Sequence, residues 1–202
     1  MSTTAQPLPP EDEALPRSPE LMNAEDTGLL VVDMQERLLA AIAQRDQLVW
    51  NCRRLLDGAI ALGVATAATE QYPEKLGNTV EELASRLGNR PDKLAFSSGA
   101  CGEIFSGWRG ENRHRVLICG IETHVCVQQT VFDLIADGYQ VYLAVDAVAS
   151  RHEIDRDIAL RRMESGGATL TTVEGALFEW CQVAGTDVFK TISGLAKESP
   201  PK

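Results

Sequence analysis

Short apolar runs alternate with longer amphipathic stretches along most of this chain, and that alternation constrains the fold more than any other feature. The run GLLVVDM (Gly28–Met34) is continuously apolar until its end, as a parallel strand covered on both faces requires. A helical pattern follows over Arg45–Leu62, with Leu48, Val49, Cys52, Leu55, Leu56 and Ala59 on one face and Gly63 as its C-terminal cap. GVATAATE gives a second strand ending near Thr69, and Asn78–Leu87 a short helix with Asn78 as N-cap and Glu81 completing a capping box. KLAFS (Lys93–Ser97) and RVLICGI (Arg115–Ile121) read as strands three and four, the latter leading into a helix over Thr123–Asp137 closed by Gly138. YQVYLAVDA, a helix over Glu153–Ser165, ATLTTV and a helix from about Glu174 to Cys181 complete the set. The pattern predicts an α/β fold: a doubly wound three-layer sandwich around a six-stranded, mostly parallel sheet.

With 202 residues the chain supports one well-cored domain, expected over 27–197. A disordered, acidic and proline-rich N-terminal arm is expected over 1–26 and a tail over 198–202. The net charge of -10 repels phosphate backbones and anionic lipid, so neither nucleic acid nor a membrane surface is an expected partner. The five cysteines are odd in number and scattered, without a CxxC pair or zinc-finger spacing, which points away from a disulfide scaffold and toward a reducing cytoplasmic setting. No leader-like apolar segment precedes the domain and no run reaches the ~20 residues of a membrane span.

In doubly wound sheets ligands bind beyond the carboxyl ends of the strands, so the residues just after each strand carry the functional information. Asp33 closes an otherwise apolar run; it either caps the next helix and satisfies loop amides, or stands at a pocket mouth as a base. Cys126 falls in the first turn after the fourth strand, where a helix N-terminus lowers a thiol pKa and offers amides for an oxyanion. Its plain alternative is a buried packing cysteine, as Cys119 reads. Lys93, in RPDKLAFSSG, is either a solvated strand-end residue or a cation that orients a carboxylate.

Taken together, the strand-end DMQ, the PDK before FSSG and the segment GIETHVCV resemble the isochorismatase-like cysteine hydrolases, from Thr27 to the last helix. The resemblance implies a catalytic triad of Asp33, Lys93 and Cys126. It also implies a cis peptide at Ile121–Glu122 that turns the Glu122 amide, with that of Cys126, toward a substrate oxygen. The implied chemistry is acyl transfer through a thioester on a small-molecule carbonyl substrate, by a homo-oligomeric enzyme. With an activated thiolate, alkylation of Cys126 is expected to be fast and to saturate near neutral pH.

The nicotinamidase branch of the family holds a metal with an acid and two histidines after the second strand. Here that region is TEQYPEKLGNT, without histidine, so no metal and no cofactor are expected. TEQYP resembles the metal-free isochorismatase domain-containing branch. Glu70, Gln71 and Tyr72 line the pocket or form a turn set by Pro73; Gln35 is a further pocket candidate, and Phe96 supplies an apolar wall or packs in the core. His124 reads as a surface or supporting residue because the family's base is the aspartate. The charged DRDIALRRM stretch is solvated or lies at a subunit contact. Two rivals stand beside the thioester route: a non-covalent enol-ether hydrolase with Asp33 as acid, and a binding or scaffold protein without turnover. A nucleotide-binding domain is disfavoured, since no GxGxxG follows the first strand.

Overall fold

The computed structural model describes residues 15–201. Strands β1 (Thr27–Val32), β2 (Ala65–Gln71), β3 (Asp92–Lys93), β4 (Arg115–Ile121), β5 (Gln140–Ala149) and β6 (Thr169–Thr171) form one sheet in the order β3-β2-β1-β4-β5-β6. Every neighbouring pair is parallel. The central strands are apolar throughout because both faces are covered. Leu29 and Val31 of β1 join Leu117, Cys119 and Ile121 of β4 in one core, while Leu30, Val32, Val116 and Ile118 enter the other.

The helices in chain order are α1 (Glu36–Leu39), α2 (Arg45–Leu62), α3 (Pro73–Leu76), α4 (Glu81–Ala84), α5 (Gly102–Gly110), α6 (Gln128–Ala136), α7 (Glu153–Ser165), α8 (Val173–Cys181) and α9 (Asp187–Ala196). Helices α2, α8 and α9 cover one face of the sheet, and α5, α6 and α7 the other. α2 buries Leu48, Val49, Cys52, Leu55, Leu56 and Ala59 as its periodicity predicts, and Gly63 ends it at φ 71°. Each fully buried leucine of this face contributes about 1.5–3 kcal/mol, and truncating Leu55 to alanine should cost about 2–5 kcal/mol.

Several expectations are corrected. Asn78 is not a helix cap: its carbonyl accepts from the Glu36 amide, Thr79 bridges to Gln35, and α4 starts only after Val80, which makes no side-chain cap. The third strand stops at Lys93 rather than Ser97, because the following carbonyls curl toward the lysine instead of extending the ladder. The helix expected from Thr123 opens as a π-turn over Thr123–Val127 and becomes α-helical only in α6. Two longer helices, α5 and α9, are not predicted by the sequence pattern. α5 carries three glycines, which depress helix propensity, yet buries Phe105 and Trp108 at helical spacing. α9 is capped by Thr186, whose hydroxyl accepts from the Phe189 amide, and buries Ile192 and Leu195.

The N-terminal boundary also moves. Residues 1–14 of the expected arm lie outside the described residues, but within Arg17–Asp26 the side chains of Met22 and Ala24 are buried. Met22 is fully buried, its amide donates to Glu179, and Arg17 donates to the Glu179 carbonyl. At the other end, Glu198 of the expected tail pairs with Arg53 and accepts from the Trp50 indole.

Candidate active site

The strand order reverses direction between β1 and β4, and a crevice opens at such a switch point beyond the carboxyl ends. The two strands approach closely there. Gly120 has φ 119°, and a Cβ on it would lie 2.1 Å from the Val32 carbonyl oxygen, so only glycine fits. That approach sets the segment after β4 beside Asp33, the residue after β1.

Asp33 adopts a left-handed conformation (φ 51°) that turns its carboxylate inward, where it is fully buried. Its amide donates to the Thr69 carbonyl of β2 at 3.1 Å. Oδ2 accepts from Lys93 Nζ at 2.7 Å, and Oδ1 accepts from the Thr69 hydroxyl at 2.8 Å. The Lys93 ammonium also donates to Gln71 Oε1 and to the Phe96 carbonyl, both at 2.8 Å, with the Ala95 carbonyl at 3.4 Å. A buried ammonium needs such acceptors to offset its lost hydration. This is why the chain bends at Leu94–Ser97.

Cys126, in the π-turn, is buried, with Sγ 3.9 Å from Gln71 Oε1 and facing the Asp33 carboxylate. Burial, and then the negative charge of Asp33, push its thiol up to about 12. The expectation of a lowered thiol pKa is therefore corrected: desolvation and a facing carboxylate outweigh the helix terminus. Burial likewise raises the Asp33 carboxyl above its ordinary value, although Lys93, the thiol and Thr69 all pull it down.

Further residues hold the cluster in place. Thr69 Oγ1 lies 3.1 Å from Ser98 Oγ; the Ser98 amide donates to the Thr130 hydroxyl at 2.8 Å, which donates to the Cys126 carbonyl at 2.7 Å. Sequence reasoning missed Thr69, Ser98 and Thr130; the serine pair directly after the Lys93 segment was the readable signal. Gln71 is fixed by Nε2 donating to the Leu94 carbonyl at 2.9 Å. Gln35 is fully buried and clamps two loops, its Oε1 accepting from the Gln71 amide and its Nε2 donating to the Gln71 and Gly77 carbonyls. Glu70 turns away from the thiol: Oε1 accepts from the amide and hydroxyl of Thr79 at 2.8 and 2.7 Å and from Arg90 at 3.2 Å. Gln35 and Glu70 thus act as loop latches. Tyr72 and Phe96 are exposed beside the still more exposed Leu94, so Phe96 is not a core residue.

The Ile121–Glu122 peptide is cis. The Glu122 carbonyl accepts from the amides of Val125 and Val127, and its carboxylate accepts from the backbone and side chain of Arg151, both at 3.0 Å. His124 lies apart from the cluster, its Nδ1 2.9 Å from Ser150 Oγ. Of the other cysteines, Cys52, Cys119 and Cys181 pack in one core, and Cys101 is buried before α5. Among the described residues, no group of three His, Cys, Asp or Glu side chains is arranged to hold a metal ion, and no helix is long and apolar enough to cross a membrane.

The chain is similar to known proteins over most of its length. The isochorismatase domain model matches residues 27–175. Isochorismatase domain-containing protein 2 of Homo sapiens is 41% identical over 174 residues, covering 86% of this chain and 84% of the relative. The secreted isochorismatase effector Isc1 of Phytophthora sojae is 36% identical over 176 residues, 84% of each chain. Among solved structures, the MAR1 ribonuclease from Caenorhabditis elegans superposes with a TM-score of 0.82 at 36% identity, covering 90% of this chain and 95% of that one. With the family model spanning the sheet and the Asp33, Lys93 and Cys126 positions, and relatives above 30% identity across the whole domain, the chain belongs to the isochorismatase-like hydrolase family.

Proposed function

We propose that this hydrolase is a metal-independent cysteine enzyme that cleaves a small carbonyl compound, an amide by preference, through a thioester. The observation that carries the reading is the buried cluster in which the Lys93 ammonium binds the Asp33 carboxylate at 2.7 Å and the Cys126 thiol faces that carboxylate. Asp33 takes the thiol proton as sulfur attacks the carbonyl carbon. The oxyanion is received by the backbone amides of Glu122 and Cys126; the Glu122 carboxylate is already committed to Arg151. Asp33 returns its proton to the departing amine, leaving a thioester. It then removes a proton from water, whose oxygen attacks the thioester, and gives that proton back to the released sulfur. Lys93 keeps Asp33 oriented and favours its ionised form each time the proton leaves. The exposure of Tyr72, Leu94 and Phe96 supports a role for them as an apolar rim, and Gln71 bonds to Lys93 with its Oε1 3.9 Å from the thiol.

Metal independence rests on how the donors are committed: Asp33 to Lys93, and Glu70 to Thr79 and Arg90. The ribonuclease name belongs to the Caenorhabditis elegans protein; the net charge of -10 favours a small substrate over a polynucleotide here. We place the enzyme in a reducing compartment, on five free cysteines, and as a homo-oligomer; the fold neighbour YcaC of Escherichia coli is described as an octameric hydrolase of unknown specificity.

A second reading is favoured by one observation. The raised pKa of Asp33 suits it to protonate an enol ether directly, with Cys126 a bystander. Incubation with an amide and aldehyde library, read by intact mass and steady-state turnover, separates the two. The thioester reading expects a covalent adduct that Cys126→Ala abolishes together with activity. Turnover that survives Cys126→Ala supports the protonation route instead.

A further inference from the structure

We propose that the outward face of α7 is a homodimerisation surface on which Ile154 of one protomer seats in a socket of its two-fold partner. This goes beyond the general expectation of an oligomer by naming the contact, and it stands apart from the catalytic reading because none of its residues belongs to the Cys126 cluster.

α7 is densely charged, yet Ile154 is 67% exposed and Ile158 45% exposed. Single exposed apolar residues are ordinary, but these two are four apart and share one helix face. Continuing from Ile158 is a shallow, widely open depression lined by Ile158, Arg161, Arg162, Ser165 and Gly166. The first four are spaced i, i+3, i+4 and i+7, the spacing of a socket in knobs-into-holes packing. The Arg162 guanidinium lies over the Phe132 ring at 5.6 Å, which draws it to the side of the hollow.

The knob and the socket are on the same helix, so the surface is self-complementary, the condition for a two-fold contact. A two-fold axis beside Ile158 places Ile154 over the partner's socket and brings the two Ile158 side chains together. The pairing is then antiparallel. Glu153, Ile154 and Asp155 of one helix run beside the partner's Arg161 and Arg162, and the converse holds on the other side. The N-terminal half of α7 carries Glu153, Asp155 and Asp157; Arg156 is turned inward to the Val145 and Val148 carbonyls and lies 3.6 Å from Asp157, and Asp155 lies 3.9 Å from His124 of its own protomer, which leaves Glu153 and the outer side of Asp155 to face a partner. The C-terminal half carries Arg161 and Arg162 against Glu164. A parallel arrangement would set like charges side by side, and an unrelated partner would have no need of both knob and socket on one face.

Sedimentation velocity of the full chain at micromolar concentration tests this. The Ile154→Glu/Ile158→Glu variant should sediment at half the wild-type mass while keeping its circular dichroism spectrum. Arg161→Glu/Arg162→Glu should do the same, and adding Glu153→Lys/Asp155→Lys to it should restore the wild-type mass. A monomeric wild type overturns the proposal, as does an isoleucine variant of unchanged mass. Failure of the combined charge reversal to restore association overturns the antiparallel register. Halving of the mass by removal of residues 2–14 alone overturns the proposal too, since the contact would then belong to the arm.

Discussion

Asp33 and Glu70 sit at the ends of adjacent strands, are both buried, and each pairs with one cation, yet their surroundings prepare them for different work. Glu70 receives the Thr79 amide, the Thr79 hydroxyl and Arg90 on a single oxygen. Burial pushes its carboxyl up, but these donors outweigh burial and hold it below the ordinary range. Asp33 receives a lysine and a threonine, is buried more deeply, and stays above the ordinary range. The signs for stability are therefore opposite. Glu70 favours the folded state above its unfolded pKa, and that contribution is lost as pH falls through its lower folded value. Asp33 favours the folded state only when protonated, below its unfolded pKa, and the contribution is lost as pH rises through its higher folded value. Donors outweigh burial at Glu70 and suit it to hold a loop, whereas burial outweighs donors at Asp33, next to a thiol, which supports the proposed role as base.

The largest expected effect is on turnover. Asp33→Asn should lower kcat/KM by about 10³–10⁴, whereas Glu70→Ala should cost less than about tenfold, because it acts only through the loop. Equal losses in the two variants, measured on the best amide from the screen, would break the contrast. Next comes stability. Lys93→Met strands a buried carboxylate and should cost about 3–5 kcal/mol in urea unfolding, against about 0–1 kcal/mol for Arg90→Met at its partly exposed site. In any Lys93→Met protein that retains turnover, the acid limb of the pH profile should move to higher pH, since a facing cation that holds the base ionised is gone.

Alkylation sharpens the same point. With the thiol held near about 12, iodoacetamide labelling of Cys126, followed by peptide mass, should rise about tenfold per pH unit between pH 7 and 9. A rate that is already flat at pH 7 would show a preformed thiolate and sink the coupled proton transfer. On stability the latch itself stands between the Lys93 and Arg90 variants: Glu70→Ala leaves the Thr79 amide without its acceptor and should cost about 1–3 kcal/mol.

Much of this architecture was legible because burial on both faces writes itself into composition. β4, α2 and α7 have the bounds their residues predict, and the resemblance drew Asp33, Lys93 and Cys126 from three distant segments that the fold does bring into one cluster. What stayed hidden was local backbone behaviour governed by distant partners. β3 is short because the Lys93 ammonium recruits the Phe96 carbonyl, and Asn78 fails as a cap because Thr79 is held by Glu70. The thiol pKa departs from the sequence expectation for the same reason: helix position is visible in sequence, whereas the depth of burial and a carboxylate ninety-three positions upstream are not. Thr69, Ser98 and Thr130 look like ordinary polar residues until the sheet sets them against Asp33 and Cys126.

The Asp33–Lys93 pair with a protonated Cys126 has a consequence for what the cleft will accept. Carboxylate and ammonium cancel, so the resting cluster is electrically neutral inside a chain whose overall charge is -10. A neutral amide meets no net charge at the cluster, and its turnover should be indifferent to ionic strength. An analogue bearing its own carboxylate has to approach through the field of the whole protein, and added salt, by shortening that field, should speed its capture.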